Sequence, residues 1–132
     1  MKLVDYHKKE SFAKEGLDLT KEQMVVLKKL DAHDGLNQNE LAYLTYRDKS
    51  SLARLLTKME SKEYIIRRQN DADKRVNQVF LTPEGKRVYD RTRPVIKELI
   101  DKMERNISAK EKDQMIVLLQ KVQENFEPGF TF

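Results

Sequence analysis

The chain has 132 residues, of which 39% are hydrophobic and 36% are charged, with a mean hydropathy of −0.76. This composition fits one folded domain with a core and favours amphipathic helices over a large buried sheet. The lack of cysteine excludes disulfides and thiolate metal sites, and no apolar run suits a membrane span or signal peptide, so a cytoplasmic location is expected.

The formal net charge of +4 is concentrated in the centre of the chain. Nine basic and five acidic residues lie between Arg47 and Arg75, whereas the two signs cancel over the remainder. A local positive field on an otherwise balanced protein is typical of a surface that binds a polyanion. A solvated face of mixed charge is the commoner explanation for any single cluster, so the elements that carry these charges matter.

Helix start signals organise the first half of the chain. Thr20 followed by Gln23 has the spacing of a capping box and predicts a helix that ends near Gly35. Asn37 followed by Glu40 repeats this signal and predicts a second, short helix. A third helix is predicted over KSSLARLLTKMESK, where one apolar stripe is formed by Leu52, Leu55, Leu56 and Met59.

The opposite face of the third helix carries small hydroxyls and long cations, namely Ser50, Ser51, Arg54 and Lys58. Serines allow a close approach to a groove wall, and both kinds of side chain can hydrogen-bond bases or phosphates. Two short helices joined by a tight turn, the second basic outside and apolar inside, are typical of a helix-turn-helix. An ordinary surface helix is the alternative, and this face alone would favour it.

The next segment, YIIRRQNDADKRVNQVFL, predicts a β-hairpin. Its two ends are rich in β-branched and aromatic residues, and NDAD has turn chemistry. A hairpin directly after a recognition helix is a wing, whose long cations could reach a minor groove. A nearby carboxylate could hold an arginine in one rotamer by charge-assisted hydrogen bonds. The alternative is a merely solvated turn, which is most plausible for Asp71.

Two helices are predicted at the C-terminal end. Thr82 and Pro83 suit the start of a long helix, in which Pro94 should introduce a kink. Ser108 and Glu111 form a capping box that starts the last helix. Its apolar stripe consists of Ile116, Leu119, Val122 and Phe126. These helices have more apolar surface than one small winged domain would cover.

The stretch ELAYLTYRDKSSLARLLTKMESKEYIIRR, followed by DKR and FLTPEGK, resembles the winged helix-turn-helix of the MarR (multiple antibiotic resistance regulator) family. The resemblance implies a mainly α fold with a small β-hairpin wing and flanking dimerisation helices. It also implies one MarR-like domain over residues 1–132, with a DNA-binding part over 19–86 and dimerisation helices over 1–18 and 87–132.

By the same resemblance, the protein is a homodimeric transcriptional regulator that binds a pseudo-palindromic operator in double-stranded DNA, acts as a repressor and needs no cofactor. Relief by a small-molecule effector is compatible with the family. Arg75 is the implied minor-groove arginine and Asp73 the residue that positions it. The expected DNA-binding residues are Asn37, Gln38, Lys49, Ser50, Ser51, Arg54, Lys58, Arg68, Asp73, Lys74 and Arg75.

Three positions depart from the family pattern. Tyr46 and Glu63 stand where the family usually has glycine in tight turns. Because a left-handed backbone costs a non-glycine residue on the order of 1 kcal/mol, these turns are expected to be built differently. Asn70 replaces the earlier wing aspartate, which weakens the case for a wing network of two carboxylates.

Other classes of function have less support. His7 and His33 are isolated and no nucleophile lies in a recognisable elbow, so an enzyme is not expected, and a metal site has only a weak signal. A winged-helix interaction module without DNA binding remains the alternative, and it should have lost the positive charge on helix and wing. Aromatic residues near helix junctions are more often core than effector pocket, and here they are Tyr43, Tyr46, Tyr64 and Tyr89.

Overall fold

The computed structural model describes residues 2–128, which form six helices and one antiparallel hairpin. The elements are α1 (Lys2–Lys14), α2 (Lys21–Ala32), α3 (Gln38–Leu44), α4 (Lys49–Ser61), β1 (Ile65–Gln69), β2 (Asn77–Leu81), α5 (Pro83–Met103) and α6 (Ala109–Phe126). The predicted fold class, mainly α with a hairpin wing, is confirmed. The described residues divide into two compact units, one up to Leu99 and one from Ile100.

The predicted helix caps are present. Complete capping boxes start α2, α3 and α6, with N-caps at Thr20, Asn37 and Ser108. The hydroxyl of Thr82 accepts a hydrogen bond of 2.9 Å from the backbone N–H of Gly85 and so caps α5. Asp48 caps α4 by accepting the backbone N–H of Ser51 at 2.7 Å. Local hydrogen bonds to short polar side chains therefore set where these helices begin.

The core of the first unit lies between α2, α3, α4 and the hairpin. The predicted stripe of α4 is buried, with Leu52, Leu56 and Met59 at most 1% exposed. The hairpin pairs Ile65 with Leu81 at one end and Gln69 with Asn77 at the other. Strand β2 also bonds to the loop before α3, because the backbone N–H of Val79 donates a hydrogen bond of 2.9 Å to the carbonyl of Leu36. This contact ties the wing to the helix-turn-helix.

The expectation that the turns at Tyr46 and Glu63 differ from a glycine turn is wrong. Both residues have left-handed backbones, with φ of 52° and 64°. After α3, Arg47 N–H bonds to the carbonyl of Ala42 and Tyr46 N–H to that of Tyr43, at 3.0 and 3.2 Å. This is a Schellman motif, and the same pair of bonds closes α4. These two hydrogen bonds satisfy backbone carbonyls that a helix end otherwise leaves unpaired, and they offset the cost of a left-handed backbone at a non-glycine residue.

The second unit contains the end of α5 and all of α6. α5 is continuous through Pro94, and the predicted kink remains a prediction. Every residue of α6 is exposed or half-exposed, including the predicted apolar stripe and the apolar Met115, Val117 and Leu118 beside it. Leu119 is 55% exposed and Phe126 is 82% exposed. No helix within residues 2–128 is long and apolar enough to cross a membrane.

Candidate nucleic-acid interface

The outward face of α4 consists of Lys49, Ser50, Arg54 and Lys58, all of them exposed. None of the three cations forms an ion pair within residues 2–128, so their charges are not compensated there by carboxylates. The buried stripe on the other side of α4 holds this face toward solvent. Ser51, predicted to belong to the same face, is half-buried, and its hydroxyl accepts a hydrogen bond of 2.7 Å from Arg47.

The wing carries the predicted pair of Asp73 and Arg75. The guanidinium of Arg75 donates from Nε to Oδ1 of Asp73 at 3.1 Å and from Nη2 to Oδ2 at 3.2 Å. The backbone N–H of Arg75 also donates to Oδ1, at 3.1 Å. The side-chain hydrogen bonds from Arg75 hold the pKa of the Asp73 carboxyl below its ordinary value. Since the Arg75 side chain is 91% exposed, this carboxylate is what fixes its direction.

The side-chain amide of Asn70 forms hydrogen bonds at the start of the loop that joins β1 and β2. Its Oδ1 accepts the backbone N–H groups of Ala72 and Asp73, at 2.8 and 3.1 Å. Its Nδ2 donates to Oε1 of Gln78 at 3.2 Å, and Nε2 of Gln78 donates to the carbonyl of Gly35, also at 3.2 Å. A carboxylate cannot donate, so an aspartate here could be linked to Gln78 only if the Gln78 amide turned round and gave up its bond to Gly35. The wing network thus contains one carboxylate and two amides.

The other predicted wing cations differ in their surroundings. Lys74 is exposed and makes no ion pair or hydrogen bond with the part of the chain that the structure describes. The guanidinium of Arg68 lies over the ring of Phe80, 5.8 Å from its centroid. This cation–π contact holds the stem of Arg68 against the hairpin, and its charge has no carboxylate partner within residues 2–128.

Three elements meet in a polar cleft of about 150 Å³. The start of α3, the start of α4 and the end of the wing line it, with Asn37, Gln38, Asn39, Lys49, Arg75, Val76 and Asn77. The side-chain oxygen of Asn37 is occupied as the cap of α3, where it accepts the N–H of Glu40 at 2.8 Å. The structure therefore brings four predicted site residues together, two of them cationic.

Two cations of the basic central segment serve the fold. Lys62 forms an ion pair of 3.1 Å with Asp18. Arg67 pairs with Glu60 at 3.1 Å, and its side-chain hydrogen bond lowers the pKa of the Glu60 carboxyl. Because both charges are compensated, they contribute less to the field outside than their number suggests. Arg47, in contrast, was not predicted as a site residue, yet it contacts Ser51 on α4.

The four tyrosines do not behave alike. Tyr64 is 6% exposed and its hydroxyl donates to the carbonyl of Asp18 at 2.9 Å, while burial raises the pKa of its phenol. Tyr89 packs against the core. The core interpretation is wrong for Tyr43 and Tyr46, which are 74% and 65% exposed. Tyr43 lies on the surface in the last turn of α3, and Tyr46 lies in the turn between α3 and α4.

Comparison with known proteins identifies the family. The sequence profile of the MarR family matches residues 19–76. Transcriptional regulator HosA of Escherichia coli O157:H7 is 30% identical over 105 residues, which cover 80% of this chain and 78% of HosA. HTH-type transcriptional regulator SarZ of Staphylococcus aureus is 31% identical over 111 residues, which cover 83% of this chain and 74% of SarZ.

A solved structure agrees with these sequence relatives. A cysteine-to-serine variant of MarR from Escherichia coli, complexed with operator DNA, superimposes with a TM-score of 0.84 and is 27% identical. The match covers 92% of this chain and 86% of that one. Both sequence relatives are named as transcriptional regulators rather than enzymes, as the sequence predicted. The chain therefore belongs to the MarR family of transcriptional regulators.

Proposed function

We propose that the protein binds a pseudo-palindromic site in double-stranded DNA as a homodimer and represses transcription by occluding a promoter. The observation that carries the proposal is the set of exposed cations on α4 and the wing that have no carboxylate partner within residues 2–128. An interaction module without DNA binding would have no use for uncompensated charge there. The MarR structure with operator DNA has the same fold, which supports this choice.

The proposed contacts with DNA follow from the positions of these residues in the fold. The start of α4 would enter a major groove with Lys49, Ser50 and Arg54. Arg75, held by Asp73, would enter the adjacent minor groove. Asn37 and Gln38 would face the DNA backbone where it passes the polar cleft. Lys58, Arg68 and Lys74 would mainly contact DNA phosphates. Two subunits would then read half-sites about one helical turn apart.

The proposed dimer rests on the apolar stripe of α6. Large exposed apolar patches on a folded protein generally mark an interface, and the side chains on this stripe are about half-exposed or more. Residues 19–86 would form the DNA-binding part of a single MarR-like domain, and residues 1–18 and 87–132 would supply the interlocking helices. A cytoplasmic location is part of the same proposal.

A small-molecule effector would need a cavity. Near α1 and the start of α2 lies one of about 470 Å³, a size suited to a small ligand. Its lining includes the apolar side chains of Phe12, Leu17 and Leu19 together with the cationic Lys8 and Lys9. Because Asp5, Asp18 and Glu22 balance Lys8, Lys9 and Lys21 in this lining, it would suit a small, largely apolar ligand without net charge, whose binding would relieve repression.

Selection of bound fragments from random or genomic DNA tests the proposal directly. Arg54→Ala should cost roughly 1–3 kcal/mol on the selected site and should reduce discrimination between sites, if Arg54 makes a bidentate base contact. Lys58→Ala should instead weaken all sequences alike and flatten the salt dependence, since it would remove a phosphate contact. If no fragment is enriched and no duplex is bound, the interaction module becomes the better explanation.

A further inference from the structure

Arg47 lies in the turn between α3 and α4 and is half-buried. Its Nη2 donates a hydrogen bond of 2.7 Å to Oγ of Ser51. Its Nε is buried and has no acceptor among the residues that the structure describes. No carboxylate in residues 2–128 forms an ion pair with it, so a half-buried cation keeps its charge uncompensated.

We propose that Arg47 is a further DNA-contacting residue, that it binds a backbone phosphate beside the start of α4, and that Ser51 positions it. This inference rests on the proposed DNA-binding function. It differs from the expectation that Ser51 itself contacts the major groove, because the hydroxyl oxygen of Ser51 already accepts a hydrogen bond from the guanidinium of Arg47.

The position of Arg47 along the chain supports this assignment. Residues three, four and seven positions apart lie on one side of a helix, so Ser51, Arg54 and Lys58 share one side of α4. Arg47 precedes Ser51 by four residues, and its side chain reaches Ser51 across the first turn. It therefore extends the line of cations on this side beyond the N-cap of α4.

The neighbouring carboxylate does not neutralise Arg47. Asp48 accepts the backbone N–H of Ser51 at 2.7 Å and caps α4. Ser51 is thus held twice, by Asp48 through its backbone and by Arg47 through its hydroxyl. A neutral hydroxyl orients the guanidinium without cancelling its charge. The planar fork of an arginine suits the oxygens of a phosphate, which would compensate the charge of this half-buried side chain.

The arginines and lysines that serve the fold provide the contrast. Lys62 and Arg67 both form ion pairs with carboxylates of the first unit. Arg87 likewise pairs with Glu84 at 2.7 Å on the surface of α5. Arg47 has a hydroxyl where each of these has a carboxylate, which is the arrangement expected of a cation reserved for an external anion.

The test compares four proteins with the wild type: Arg47→Ala, Arg47→Lys, Ser51→Ala and the double variant Arg47→Ala with Ser51→Ala. Binding is titrated over a range of salt concentrations on a duplex recovered by selection and on a duplex of scrambled sequence. Arg87→Ala is the control, because it also removes one arginine charge, but one that is paired with a carboxylate. Thermal denaturation of each variant establishes that it is folded.

Arg47→Ala should weaken binding to both duplexes by the same factor and reduce the slope of log affinity against log salt by about 0.9 per subunit, the value for one phosphate contact. Arg47→Lys should retain the slope but bind less tightly, since an ammonium lacks the fork. Ser51→Ala should weaken binding in the wild-type background and have no effect once Arg47 is alanine. Arg87→Ala should leave the slope unchanged.

Several results would overturn the inference. A folded Arg47→Ala protein with wild-type affinity and slope would show that Arg47 has a structural role only. Equal losses from Ser51→Ala in both backgrounds, with reduced discrimination between duplexes, would show that Ser51 reads the DNA itself. If Arg47→Ala fails to fold, a folded Arg47→Lys protein with a reduced slope would also contradict the proposal. Failure of the wild type to bind either duplex would instead overturn the proposed function, and this inference with it.

Discussion

Replacing Asp73 by alanine should weaken DNA binding, even though the change makes the protein more cationic. Asp73 accepts three hydrogen bonds from Arg75, two from the guanidinium and one from the backbone. With 91% of the Arg75 side chain exposed, little else restrains it. An aspartate is ionised at neutral pH, and the hydrogen bonds from Arg75 lower the pKa of Asp73 further, as expected of a carboxylate that acts as the acceptor.

The size of the effect follows from this geometry. Immobilising a flexible side chain on binding typically costs a factor of about two to ten in affinity, and Asp73 removes much of that cost in advance. A symmetric dimer carries two wings, so the variant should bind about four- to a hundredfold more weakly. Loss of a negative charge near phosphates acts in the opposite direction, but salt screens it over about 8 Å.

Binding titrations at one fixed salt concentration measure the change, with Asp71→Ala as the matched control. Asp71 is exposed and makes no hydrogen bond or ion pair within residues 2–128, so deleting its charge should leave affinity unchanged or slightly improved. Asp73→Ala combined with Arg75→Ala should lose little more than Arg75→Ala alone, because coupled residues are not additive. Tighter binding by the Asp73→Ala protein would refute the reasoning.

Two further predictions concern the dimer and the wing. The wild type should scatter light as about twice 15.6 kDa, whereas Leu119→Asp should shift it toward monomer. Burying the exposed 55% of Leu119 in both subunits contributes about 2 kcal/mol, or roughly thirtyfold in Kd, and Gln120→Asp is the control for charge. Asn70→Asp should destabilise the protein by about 1 kcal/mol in thermal denaturation and weaken DNA binding, because either two acceptors would face each other at Gln78 or its amide would turn and lose the bond to Gly35; unchanged stability would contradict this.

Elements that depend on local chemistry could be predicted from the sequence. The caps at Thr20, Asn37 and Ser108 and the buried stripe of α4 follow from residues within one or two turns of each other. The turns at Tyr46 and Glu63 were mispredicted from residue preference alone. That preference measures the strain of one residue, whereas the Schellman hydrogen bonds are a property of the whole helix end.

The candidate site was only partly predictable, for a related reason. The pairing of Asp73 with Arg75 spans two residues and was implied by the family resemblance. The amide chain through Asn70 and Gln78 reaches Gly35, which is 43 residues from Gln78, so only the folded chain brings its members together. Arg47 was missed although it is four residues before Ser51, because it lies ahead of the N-cap, where helical spacing is not normally applied.

Net charge alone therefore misstates how this surface would recognise DNA. Lys62 and Arg67 are paired with carboxylates of the fold and Arg75 with Asp73 on the wing, whereas the cations on α4 and Lys74 have no carboxylate partner within residues 2–128. The carboxylates of Asp48 and Asp73 each hold something in place, one the start of α4 and the other Arg75. A surface that bound DNA by charge alone would gain affinity on losing either acid. This one should lose affinity, because each acid fixes the direction of a group that would meet the DNA.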